Sequence, residues 1–80
     1  MTEQEMQDAI MTITTLERKY QTAYPMWRRG QTLFNAVNSL YPEIADRLRG
    51  TDIDPFHRND RYGECWDYII RMLNDNDAQP

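Results

Sequence analysis

Apolar residues recur at steps of three and four along the first quarter of the chain. Met6, Ala9, Ile10, Ile13, Leu16 and Tyr20 form one stripe, and Gln4, Gln7, Asp8, Glu17 and Arg18 lie mainly off it. Thr2 and Glu5 have the spacing of a capping box, which opens a helix. Together these signals predict helix over about 3–23. The β-branched run Thr12-Ile13-Thr14-Thr15 weakens the propensity only slightly. Tyr24 precedes Pro25, and a residue before proline is pushed out of the helical region, so the helix ends there.

A second apolar face comes next in Trp27, Leu33, Phe34, Val37, Leu40 and Tyr41. Pro25 suits a first helical turn, so this helix is expected over about 26–40. Gly30 interrupts it, at a cost of about 1 kcal/mol relative to alanine in a helix interior. Either another backbone approaches closely there, or the helix begins after the glycine. Pro42 opens a third, short helix, PEIADRLRG, with Ile44, Ala45 and Leu48 inward and Gly50 at the position of a left-handed cap. Asn59 or Asp60 then caps a fourth helix. Its apolar face is Tyr62, Cys65, Trp66, Ile69, Ile70 and Leu73, with Gly63 as a second small position. The last residues, NDNDAQP, carry almost no apolar content. They predict a disordered tail over 74–80 behind a single domain over 1–73. No alternating run is bounded by hairpin turns. The expected fold is therefore all-α, a small helical bundle of three main helices plus one short helix.

Composition sharpens this picture in three ways. Eighty residues, 40% of them hydrophobic, support one modest core and leave little surplus stability. The lone cysteine, Cys65, cannot form an intramolecular disulfide, which fits a reducing compartment. No apolar run approaches membrane-spanning length, and the acidic, polar first residues do not resemble a targeting segment, so a cytoplasmic location and no membrane association are expected. Charge is unevenly spread. Residues 1–16 hold three acids and no base, residues 17–49 balance to +3, and residues 50–80 balance to −4. Eight of the nine bases are arginine, the cation favoured at interfaces because it forks and stacks.

Two stretches are candidates for chemistry. RGTDIDPFHRND, residues 49–60, gathers acids around the only histidine. As a calcium loop beginning at Asp52 it places Phe56, His57 and Gly63 where the fifth-position ligand, the sixth-position glycine and the twelfth-position glutamate belong, so the template fails. A zinc site needs several His or Cys ligands, and the chain offers one of each. His57 with Asp52 or Asp54 makes an acid–base pair on paper, with Cys65 as a nucleophile beside it. Yet Cys65 falls on an apolar stripe, as a small core residue would. The connector reading accounts for more residues: Ile53 and Phe56 anchor the loop, Pro55 stiffens it, and the short polar side chains bond local backbone. No catalytic residue, metal or cofactor is expected, and the protein is read as a non-enzyme.

WRRGQTLFN, residues 27–35, is the other stretch. Trp27, Arg28 and Arg29 sit near a helix N-terminus, where anions are favoured. Trp and Arg dominate protein-binding hot spots, so these three are the expected partner-binding residues. The bland alternative has Trp27 packing on helix 1 and both arginines solvated or paired with acids. A helix-turn-helix fits poorly because the next helix is short, and the acidic ends oppose a phosphate backbone. Helix 1 adds another option, a homodimer through its stripe of Met6, Ile10, Ile13 and Tyr20.

The R-x-G-Q-x-L-F-N helix followed by P-x-x-A-x-x-x-R-G-T-x-x-D-P-F resembles small proteins of bacteria and their phages, a group to which no activity is assigned. The resemblance covers roughly residues 27–56 and leaves helix 1 outside. It implies an origin and transfers no residue role. By analogy, small acidic phage proteins often bind and inhibit host proteins. The resulting expectation is a protein-binding module, a phage or mobile-element accessory factor that modulates a host protein. Two alternatives remain. One is a nucleic-acid-binding regulator using the basic 18–49 region. The other is an acidic decoy in which carboxylates of residues 52–77, Asp67, Asp75 and Asp77 among them, mimic DNA phosphates.

Overall fold

The computed structural model describes residues 2–49, 51 and 61–78, with side chains given through residue 75. The described residues form four helices and no strand: α1 (Glu3–Ala23), α2 (Arg29–Leu40), α3 (Pro42–Leu48) and α4 (Tyr62–Ala78). The all-α fold of three main helices and one short helix is the one the periodicity predicts. No helix among the described residues is long and apolar enough to cross a membrane.

The capping box at the start of α1 is complete. Thr2 Oγ1 accepts the Glu5 amide at 3.1 Å, and Glu5 Oε1 accepts the Thr2 amide at 3.1 Å. This satisfies two backbone donors that the first turn leaves without partners. The Thr2 amide, and after it the Thr2 hydroxyl, bond the Glu5 carboxyl and hold it below its usual range.

Both Tyr-Pro steps end a helix in the same way. Tyr24 (φ −131°, ψ 68°) and Tyr41 (φ −139°, ψ 72°) leave the helical region as residues before proline must. Each donates its amide back to the preceding turn, Tyr24 to Tyr20 O and Tyr41 to Val37 O, both at 2.7 Å. Beyond the prolines the two steps diverge. At Pro42 a new helix begins at once, because Ile44 and Ala45 fall onto the core and their amides bond Tyr41 O. At Pro25 it does not.

The start of α2 therefore corrects the expected 26–40 span. The Trp27 amide bonds Tyr24 O at 3.0 Å, closing a four-residue turn with Pro25 at its second position. Proline's fixed φ suits that position as well as a first helical turn. Arg28 is extended (φ −69°, ψ 157°), its amide bonds Gln31 Oε1 at 3.3 Å, and the helix begins at Arg29. Gly30 is buried and lies in the first turn, one residue inside the helix, neither mid-helix nor before the start.

One hydrophobic cluster joins the four helices. Ile13, Leu33, Ala36, Val37, Ile44, Ala45, Leu48, Cys65 and Ile69 are fully buried in it, with Ala9, Phe34, Met72 and Leu73 nearly so. α1 packs most extensively on α2 and less on α4. The inward triplet of α3 is the expected one. On α4, Met72 takes the core place expected for Ile70. At about 100° per residue, position 70 turns well away from the line through Cys65, Ile69 and Met72. Thr32 is fully buried although polar. Its hydroxyl bonds Arg28 O at 3.1 Å and Gln21 Oε1 at 3.4 Å, so α1 and α2 meet there without an unsatisfied group.

α4 is helical to Ala78, where the sequence leads one to expect a tail from residue 74. The expected cap at Gly50 and the whole 52–60 connector, with Asp52, Asp54, His57, Asn59 and Asp60, lie outside the described residues.

Candidate functional site

The α1–α2 corner brings three aromatic rings together. Tyr24 and Trp27 stack with centroids 4.2 Å apart and planes 12° from parallel. Tyr20 meets the Trp27 ring edge-on at 5.9 Å and 69°. The backbone turn from Tyr24 to Trp27 makes the stack local: it folds the chain back so that residues three apart face each other. Tyr20 is in turn fixed to α2, its hydroxyl 2.8 Å from Ser39 Oγ. The cluster is thus held from both helices. Trp27 is half-buried against Tyr20 and Tyr24, the packing that the bland alternative anticipates.

Around this rigid base the corner presents apolar and charged groups to solvent. Met26 is 75% exposed and Tyr24 43%, and together with Met11 they are the exposed large hydrophobic residues among those described. Arg28 is exposed beside them. Exposed Tyr, Met and Arg around a half-buried Trp is the composition of interface anchors.

Arg29 belongs to a different arrangement from its neighbours Trp27 and Arg28. Its guanidinium carbon lies 3.9 Å from the centroid of the Tyr62 ring, at the first residue of α4. The Tyr62 hydroxyl donates to Glu17 Oε2 of α1 at 2.5 Å. Cation, ring and carboxylate thus connect the starts of α2 and α4 to the middle of α1. Burial, and after it the bond to Glu17, push the Tyr62 phenol above its usual value, with Trp66 and Arg29 pulling the other way. Sequence reasoning places Trp27, Arg28 and Arg29 together; the structure puts only the first two at the exposed corner.

A cleft of about 580 Å³ opens between α1 and α4 beside this arrangement, lined by Ile10, Thr14, Glu17, Arg18, Gln21, Arg29, Tyr62 and Trp66. Ile10 faces this cleft and is only partly buried, at the edge of the core stripe it was assigned to. Glu17, Gln21 and Tyr62 are the participants that sequence reasoning missed as a group. Glu17 and Tyr62 are 45 residues apart, and no local pattern links them.

Cys65 is fully buried in the core, so its thiol meets neighbouring side chains and not a substrate. Among the described residues no three His, Cys, Asp or Glu side chains are grouped to hold a metal ion. Comparison of the chain with protein-family models, with curated proteins and with solved structures finds no match, so the functional reading rests on these residues and their geometry.

Proposed function

We propose that the protein is a non-enzymatic protein-binding module that engages its partner through the α1–α2 corner, with Trp27 and Arg28 as anchors and Tyr24 and Met26 extending the contact. The carrying observation is the Tyr24–Trp27 stack, with Met26 and Arg28 exposed around it. The stack is ordered before binding, so a partner meets large apolar surface whose side-chain entropy is already spent. Met26 adapts its shape to an irregular pocket. Arg28 supplies a forked donor for a carboxylate at the rim. The partner is therefore expected to offer an apolar pocket edged by acidic groups. In a phage or mobile-element setting, such a module acts by occupying a host protein.

Arg29 supports the reading in a different role from the one its sequence position suggests. It holds the corner's helix against α4, and its charge lies over Tyr62 and not at the exposed corner. That also weakens the case for nucleic acid, because Arg29, one of the six bases of residues 17–49, is engaged with the Tyr62 ring.

The test is affinity capture by the tagged protein from a nuclease-treated bacterial lysate. Wild type is compared with Trp27→Ala and with Arg28→Glu. The expected result is one protein recovered with wild type and depleted with both variants. Recovery that requires intact nucleic acid would favour the regulator. Recovery abolished by reversing Asp67 and Asp75, and unaffected by Trp27→Ala, would favour the decoy.

A further inference from the structure

We infer that a second copy of this chain docks on the outer face of α1, antiparallel about a two-fold axis at Met11, to form a weak dimer with its two binding corners at opposite ends. The face in question is not the stripe of Met6, Ile13 and Tyr20, which packs in or against the core. It is the opposite one, where Gln4, Gln7, Met11, Thr15 and Arg18 succeed one another at three- and four-residue steps.

Two observations carry this. Met11 stands 69% exposed at the middle of that face, with a shallow groove on either side. One groove includes Ile10 and Thr14, the other Thr15, Leu16 and Leu40. An unbranched thioether suits such a groove, so each copy's Met11 can lie beside its mate in the surface of the other. The second observation is charge. α1 begins with Glu3, Glu5 and Asp8, carries no charge from residue 9 to 16, and then has Arg18 and Lys19 on its exposed side. Among the described residues no carboxylate pairs with Arg18 or Lys19.

That order is complementary to itself when reversed. Gln4 and Arg18 each lie seven residues from Met11, and Gln7 and Thr15 each lie four. Antiparallel copies registered on Met11 therefore set Arg18 beside Glu3 on one edge of the seam and bring Lys19 toward Asp8 on the other, twice each. Parallel copies would set acids on acids. The antiparallel pair also opposes the two helix dipoles favourably. The apolar area is small, one methionine and the threonine methyls, so the dimer is weak and sensitive to salt. At about 1.5 Å per residue, the two 24–28 corners lie about 40 Å apart and face away from each other. Two-site engagement of a multimeric partner then gains avidity without any new contact.

Sedimentation of the full chain over a concentration series, at low and high salt, tests this directly. The expected result is a mass that rises toward the dimer with concentration and falls back at high salt. Met11→Glu, which puts two carboxylates on the axis, should weaken the dimer about tenfold or more while leaving the circular dichroism unchanged. Glu3→Lys and Arg18→Glu should each weaken it, and the two combined in one chain should restore it. Three results would overturn the inference: a monomer at every concentration, a dimer indifferent to Met11→Glu, or a double reversal that fails to recover what the single reversals lose.

Discussion

The Arg29 guanidinium carbon lies 3.9 Å from the centre of the Tyr62 ring, and that contact separates two adjacent arginines into different roles. Reversing Arg28 alters an exposed corner. Reversing Arg29 removes a cation from an aromatic face and places a carboxylate near Glu17, which already accepts the Tyr62 hydroxyl. Arg29→Glu should therefore destabilise the fold by about 1 kcal/mol or more relative to wild type. Urea midpoints of Arg29→Glu and wild type check this. Equal stabilities would mean that the Arg29–Tyr62 contact contributes nothing.

Tyr62 makes the fold sensitive to alkali. Its phenol titrates above the ordinary value because burial and the bond to Glu17 favour the neutral form. A group with a raised folded pKa contributes stability that is fully present below its unfolded value. That stability is lost as the pH rises through the folded value. Thermal midpoints should therefore fall as the pH is raised beyond about 10, the unfolded phenol's value. Tyr62→Phe should be less stable at neutral pH by about 1 kcal/mol for the lost hydrogen bond, and its decline with alkali should be shallower. A variant whose alkaline profile runs parallel to wild type would contradict the assignment.

Gly63 sits in the first turn of α4 with nothing within 4 Å of the position a Cβ would take. No close approach requires a glycine there. Gly63→Ala should stabilise the protein by about 0.5–1 kcal/mol, because alanine loses less freedom on entering a helix. A lower melting temperature for Gly63→Ala would show that the space is used.

The capping box of α1 gives an acid-side counterpart. Glu5 is held below its usual range by its two bonds to Thr2, so its contribution is present above the unfolded value and lost as the pH falls through the folded one. Thr2→Ala should cost about 1 kcal/mol at neutral pH and should raise the Glu5 titration, followed by carboxyl NMR shifts, only part of the way to the ordinary range, because the backbone amide of residue 2 still donates to the carboxyl. An unmoved Glu5 titration would remove the Thr2 hydroxyl as a cause.

Most of the helical architecture is legible because burial repeats with the helical period. Met6, Ala9, Ile13 and Tyr20 announce α1, and Ile44, Ala45 and Leu48 announce α3. The start of α2 is not legible, because proline's fixed φ serves a turn and a first helical position equally well. The aromatic preference of Trp27 for Tyr24 fits the turn that forms. Thr32 reads as a polar surface residue until Gln21 and the Arg28 carbonyl are found beside its hydroxyl. Ile70 and Met72 exchange roles because hydrophobicity ranks them one way and helical geometry the other. Of the candidate site, Trp27 and Arg28 could be named from composition. The partnership of Arg29, Tyr62 and Glu17 could not, since three helices supply one member each.

If a protein partner sits on the α1–α2 corner, it must come within bonding distance of Met26. The most direct measurement places a photo-crosslinking residue at Met26, 75% exposed on that corner, and separately at Asn38, exposed on α2. Each tagged chain is irradiated in a nuclease-treated lysate. A partner at the corner predicts one discrete protein adduct from position 26 and none of the same mass from position 38. Adducts of equal yield from both positions, or an adduct at position 26 that appears only when nucleic acid is left intact, would contradict it.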